Sequence, residues 1–268
     1  VAGSQTGLVA IGKNALGAAT SGNYNTAVGA GCLDATIDGA NNTAVGRAAL
    51  SADCADDNVA IGFNALEAFT GSDATAIGSQ AADASVSDLG LTAVGKSALG
   101  ACNGGDYNTA VGYVSGDAIT TGNRNTSVGT WSLSSAATDD NTALGYYALE
   151  AFTGSNATAV GANAADAATT AAYLTAIGDE ALTELTDGTG NTSVGAYSLW
   201  RLTTGDYNTA VGMAAGQDVY GDHNTFMGRY AGLYAGDTDH CVAIGSSALQ
   251  GATFTDATCD YNNDPTIT

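Results

Sequence analysis

The side chains able to do chemistry are few, and their positions argue against a catalytic site. His223 and His240 are the only histidines. Each stands five residues before a recurring glycine, where Tyr24, Tyr107 and Tyr207 stand in other copies of the same pattern. They read as variants of one loop position rather than as a general base and its partner. Carboxylates are plentiful, yet Asp53, Asp56, Asp57, Asp139 and Asp140 lie in polar stretches. Acid–base work needs surroundings that push two pKa values apart, and no apolar pocket is foreseen around these residues. Aspartate oxygens suit calcium, but no Asp-x-Asp-x-Asp-Gly loop occurs. Five cysteines are scattered without a Cys-x-x-Cys pair or a Cys–His spacing suited to zinc. Cys32 falls on an inward position and reads as a small core residue. Cys241 and Cys259, 18 residues apart, could meet on adjacent turns of a coil as a disulfide. The expectation is a chain that is not an enzyme and holds no cofactor or metal.

The element that positions all of these is a five-residue repeat, Asn108-Thr109-Ala110-Val111-Gly112 and its variants. Its closing glycine recurs as Gly12, Gly29, Gly46, Gly62, Gly78, Gly95, Gly112, Gly129, Gly145, Gly161, Gly178, Gly195, Gly212, Gly228 and Gly245, always 16 or 17 residues apart. Val, Ile, Leu or Met always precedes the glycine. Before that comes Ala in twelve copies, Ser127 and Ser193 in two, and Phe226 in one. Thr fills the next position back in twelve copies, and Asn the one before in nine. A fixed short period is the signature of a solenoid, in which each repeat contacts only its neighbours. Thr-Ala-Val suits a strand, Ala-Leu after the glycine reads as a second strand, and a polar loop completes each rung. Helix is the competing reading, since Ala and Leu favour it. The Gly-rich interruptions leave too little room for paired helices. The expected fold is all-β: a parallel β-solenoid of about 15 rungs over residues 1–259, followed by a C-terminal linker over 260–268.

A longer period overlies the short one. Ala65 to Ser72 reappears unchanged at Ala148 to Ser155, 83 residues later, so the array reads as three blocks of five rungs. With 27 acidic against six basic residues, the net charge of −21 argues against nucleic acid and anionic membrane surfaces as partners. No apolar run approaches the roughly 18 residues of a membrane span, so no membrane insertion is expected. Val1 falls inside a repeat, which reads as the start of a processed or partial chain.

Strand alternation puts Thr109 and Val111 on one side, and Asn108 and Ala110 on the other. The larger aliphatics are expected inside, stacked with leucines, and the asparagines are expected to form a ladder of amides along the coil. The Ala column would then face outward. An uncharged outward column on so acidic a chain suggests a face against another chain, with Ala44, Ala110, Ala143, Ala159 and Ala210 at the contact. Each rung also has only about two large side chains to bury, worth roughly 1.5–3 kcal/mol apiece, so sharing surface would help.

The repeats resemble the YadA-like head repeats of trimeric autotransporter adhesins, and similar repeats occur in bacteriophage tail fibres. The motif Asn-Ser-x-Ala-Ile-Gly is met here as Asn58-Val59-Ala60-Ile61-Gly62 and Asn125-Thr126-Ser127-Val128-Gly129. The resemblance runs from about Leu8 to Ala257. It implies a left-handed parallel β-roll and a homotrimer of three rolls side by side. The expected function is a structural segment of a phage tail fibre or similar virion appendage supporting host attachment. Its partners would be itself, other fibre or virion proteins, and a cell-surface receptor or glycan. The alternative is the head of a bacterial surface adhesin; either way the chain would be extracellular, on a virion or a cell surface. An ice-binding solenoid, suggested by the Thr column, is set aside because that column is expected to face inward.

Overall fold

The computed structural model describes residues 5–251. It contains fifteen three-residue strands and, among the described residues, no helix. They are Val9–Ile11 (β1), Thr26–Val28 (β2), Thr43–Val45 (β3), Val59–Ile61 (β4), Thr75–Ile77 (β5), Thr92–Val94 (β6), Thr109–Val111 (β7), Thr126–Val128 (β8), Thr142–Leu144 (β9), Thr158–Val160 (β10), Thr175–Ile177 (β11), Thr192–Val194 (β12), Thr209–Val211 (β13), Thr225–Met227 (β14) and Val242–Ile244 (β15). The chain forms two compact units, 1–140 and 141–268. In the first, β1 to β8 pair in sequence order, all parallel and in register, as in Thr92↔Thr109, Ala93↔Ala110 and Val94↔Val111. In the second, β9 to β15 do the same. The fold is a parallel β-solenoid, as the period requires. The expected linker 260–268 lies outside the described residues.

Each strand stops at the repeat glycine for a steric reason. Gly62 has φ 142°, and a Cβ there would lie 2.3 Å from the carbonyl oxygen of Gly78 in the next rung. No side chain fits between stacked backbones at that corner. The chain then departs from expectation, because the Ala-Leu segment is not a second strand. In every rung the second and fourth residues after the glycine have positive φ, as at Ala48 (53°) and Leu50 (52°). Between them stands a residue of ordinary φ. This alternation turns the backbone sharply and aims successive amides up and down the coil. Ala48 N–H donates to Ala30 of the previous rung at 3.0 Å, and Leu50 N–H to Ala65 of the following rung at 2.9 Å. The flank is thus stitched to its neighbours without being pleated. Left-handed backbone costs a bulky residue of order 1–3 kcal/mol. Burying the leucine returns a similar amount, about 1.5–3 kcal/mol.

The core reverses the expected sidedness. Ala44, Ala110, Ala143, Ala159 and Ala210 are fully buried inside the roll, so the Ala column is not an outward face. Thr and the aliphatic residue of each strand point outward instead: Val111 is 37% exposed and Ile177 39%. The alternation itself holds, with Asn108 on the buried side beside Ala110. Size decides the polarity. The turn flank sends in Leu66, Leu99 and Leu149, joined by Phe69, Phe152 and Ile119, and these fill the interior. Opposite them only a methyl fits. Cys32 is buried and free, as its position suggests.

Two exceptions in the Ala column show how tightly this is matched. Phe226 replaces alanine, and in its own rung and the preceding one the usual leucine is replaced by Gly232 and Gly216. A Cβ on Gly232 would lie 2.2 Å from the Phe226 ring, and one on Gly216 2.8 Å from it. The ring occupies the volume the leucines leave. Ser127 and Ser193 meet serines across the same core: Ser127 Oγ lies 2.7 Å from both Ser132 Oγ and Ser115 Oγ, and Ser193 pairs with Ser198. Buried hydroxyls need partners, and the facing alanines have become serines to supply them. Gly232→Leu should therefore destabilise the chain by about 3 kcal/mol or more through overpacking. Adding Phe226→Ala should restore most of the loss, since contacting residues are not additive. Denaturant melts of the single and double variants check this; equal losses in both would refute the volume exchange.

Candidate functional site

Beneath the strand edge lies a ladder of buried amides. Asn108 Nδ2 donates to the Gly122 carbonyl of the next rung at 2.7 Å, and Asn108 Oδ1 accepts the Asn125 N–H at 2.9 Å. Asn25, Asn42 and Asn58 in the first unit, and Asn191, Asn208 and Asn224 in the second, repeat the geometry. The expected amide ladder is present, inside rather than on a surface. Cys241 occupies the same column, and its N–H donates to Asn224 Oδ1 at 2.9 Å. Cys241 is buried and disulfide-bonded; the expected partner, Cys259, lies outside the described residues.

A second ladder escapes sequence reasoning. Two residues before the asparagine position, in eight rungs, an Asp or Asn side-chain oxygen accepts an N–H of the preceding rung. Ala40 donates to Asp56 at 2.7 Å, Leu89 to Asp106 at 2.9 Å, Asn123 to Asp139 at 2.8 Å, and Asp222 to Asp239 at 2.7 Å. Asp53 does similar work for the Ile37 N–H at 2.9 Å. Much of the acidity of these loops is therefore structural: the carboxylates cap amides. The signal was the recurrence of Asp or Asn at one register. Asp140 instead pairs with Arg124, at 2.6 Å to Nε and 2.8 Å to Nη2. Arg124 holds the Asp140 carboxyl below the usual aspartate range. With both side chains about half exposed, that pair contributes little to stability.

His223 and His240 stand in an exposed column of left-handed residues that also holds Tyr24, Tyr107, Tyr173 and Tyr207. Tyr207 and His223 stack at 5.2 Å between ring centroids, and His223 and His240 at 4.9 Å. The stack follows from the rung spacing, which brings equivalent rings to roughly 4.8 Å. Tyr107 and Tyr207 lean onto Gly90 and Gly190 of the preceding rung, where a Cβ would meet the rings at 2.8 and 2.6 Å. Among the described residues no three His, Cys, Asp or Glu side chains are grouped to hold a metal. Burial pushes the thiols of Cys32 and Cys54 up to about 11 and that of Cys102 to about 12, so they are protonated and unreactive at neutral pH.

What the roll does present is a broad uncharged face. Every strand turns two residues outward, Thr or Val and then Val, Ile, Leu or Met, and none is charged. The face continues through in-register pairs within each unit. On the opposite, turn flank, aromatics and cations gather: Arg47 over Phe63 at 5.3 Å and Lys96 over Tyr113 at 5.8 Å in the first unit, and Arg201 over Trp200 at 5.1 Å and Arg229 over Tyr230 at 4.3 Å in the second. The chain matches no known family, no curated protein and no solved structure.

Three carboxyls on the turn flank, Asp83, Asp117 and Asp166, are raised above the ordinary aspartate value of 3.8, chiefly by desolvation. Asp166 Oδ1 is buried without a hydrogen-bond partner, and Glu150 and Glu180 raise the group further. A raised folded-state pKa means the folded chain prefers the protonated acid. The group's stabilising contribution is then full below pH 3.8 and lost as pH climbs through the raised value. Asp166→Asn should stabilise the chain at pH 7, with the gain shrinking as the pH falls towards and below the ordinary aspartate value of 3.8. Thermal melts at pH 7 and below that value check the sign; a gain that is larger in acid would contradict it.

Proposed function

We propose that the chain is a structural, non-enzymatic segment of a trimeric fibre, with three rolls packed through their Thr/Val faces. The observation that carries this reading is the outward strand face. In a chain of net charge −21, an uncharged surface two residues wide recurs in all fifteen strands, with Val, Ile, Leu or Met at its edge. Exposed apolar surfaces of that extent mark interaction sites. A second copy is the natural occupant, because the same face repeats in register and can mate with itself around an axis. The resemblance to the YadA-like head repeats supports the trimer and a left-handed roll. It also supports placement on a virion, as part of a tail fibre or similar appendage supporting host attachment. Its neighbours there would be other fibre proteins and a cell-surface receptor. The head of a bacterial surface adhesin is the alternative setting for the same architecture.

A second reading has an observation of its own. The Thr column was expected inside, and that was the ground for setting ice binding aside. The column faces outward instead, at the regular rung spacing of a parallel sheet. The two readings need the same face, so one experiment separates them. Sedimentation of the intact protein should give three times the 26.3 kDa chain mass. Ile77→Glu with Val111→Glu forces charges into the proposed contact and should yield monomer or unfolded chain, while Asp140→Asn changes neither mass nor fold. A wild-type monomer would sink the trimer, and thermal hysteresis in that monomer would favour ice.

A further inference from the structure

The turn flank of the second unit holds an open depression of about 360 Å³ lined by Tyr197, Trp200, Met213, Ala214, Gln217 and Tyr230. None of these is a strand residue, so the depression is separate from the Thr/Val face. Its aromatic walls are fixed in place. Tyr197 and Trp200 meet edge to face at 6.4 Å and 87°. Arg201 lies 5.1 Å over the Trp200 ring and is itself held by Asp218 at 3.0 Å. Arg229 lies 4.3 Å over the Tyr230 ring and donates to its hydroxyl at 3.0 Å.

Two features show that the depression is more than an apolar dent. The first is polar: Gln217, with both donor and acceptor atoms, joins the aromatic lining. The charge pattern is the second feature. The chain has only six Lys and Arg against 27 Asp and Glu, yet two of its arginines flank this one depression. Arg201 is neutralised by Asp218, whereas Arg229 forms no ion pair among the described residues.

We propose that this depression binds a pyranose sugar bearing a carboxylate. The apolar face of the ring packs on Trp200 and Tyr230, as aromatic walls with a few placed polar groups do in small-molecule sites. Ring hydroxyls take the Gln217 amide, and the carboxylate pairs with Arg229. A planar apolar ligand would leave Gln217 and Arg229 unused, and a bare anion would have no use for the aromatic walls. The inference deepens the host-attachment reading, on which it rests only for the source of the sugar, an acidic surface polysaccharide. The site itself needs no trimer, so mass and sugar binding can fail separately.

The test uses the full chain carrying Trp131→Phe, so that Trp200 is the sole indole reporter. Oligomers of galacturonate and of glucuronate are titrated beside a neutral glucose oligomer, and the Trp200 fluorescence is followed. A shallow stacking site tolerates epimers, so at least one uronate should saturate with a Kd of about 1 mM. Tyr230→Ala should weaken that binding at least about tenfold, and Gln217→Ala by a smaller factor. Arg229→Gln should remove the preference for uronate over glucose oligomer, leaving the neutral oligomer unaffected. Circular dichroism confirms that each variant is folded. No saturation by either uronate up to about 50 mM would overturn the proposal. So would a neutral oligomer that binds as tightly as the uronates, or uronate binding that survives both Tyr230→Ala and Gln217→Ala at full strength.

Discussion

The interaction on which this fold most depends is the buried asparagine amide, present in nine of the fifteen rungs and tying each of those to the next. A coil of 16–17 residues with three-residue strands has too little pleated backbone to hold itself, so side chains complete the ladder. Asn108 shows the economy: Oδ1 satisfies the next asparagine's N–H, and Nδ2 satisfies a carbonyl at the neighbouring loop. Both partners are buried backbone groups, and losing either costs roughly 1–3 kcal/mol. The outer Asp and Asn ladder works in the opposite sense, its oxygens accepting N–H groups of the preceding rung. Rungs that carry both ladders are clamped from both directions. Six of the chain's 27 acidic residues serve in this second ladder.

The sequence made the architecture legible because the period is rigid and the glycine invariant. Fifteen glycines at one register state that fifteen backbones cross the same corner, and a Cβ at Gly62 would meet the next rung at 2.3 Å. The amide ladder was legible for a related reason, since a repeated Asn in a β context can only bond along the stack. Which side of the strand faced inward was not legible by the usual rule. Larger apolar residues go inside when space is shared evenly, but here the turn flank contributes Leu and Phe and leaves room for a methyl. A subtler sign lay in the exceptions: Phe226 with Gly216 and Gly232, and Ser127 with Ser115 and Ser132. Residues that change together must touch, so the alanine position had to be interior. The left-handed leucines were illegible too, because a bulky residue at φ near 50° runs against its own preference and is held there only by the rungs on either side.

The two long sides of the roll are chemically distinct for the same packing reason. On the strand side, outward residues sit in a parallel, in-register array and are uniformly uncharged. On the turn flank the backbone alternates in hand, side chains splay, and aromatic rings collect beside the few cations.

The matched octets Ala65 to Ser72 and Ala148 to Ser155 place Phe69 and Phe152 in equivalent buried positions five rungs apart. Because rungs one block apart carry matching residues at the asparagine position, as in Asn25, Asn108 and Asn191 or Leu8, Leu91 and Leu174, a copied block of whole rungs finds its hydrogen bonds already waiting. A duplication of any other length would send the asparagines into solvent and the threonines into the core. The chain therefore behaves as a ruler marked in indivisible ticks. Its span can drift over evolutionary time through unequal crossover between like blocks, with no new packing to invent, which makes length the most freely heritable property of the molecule.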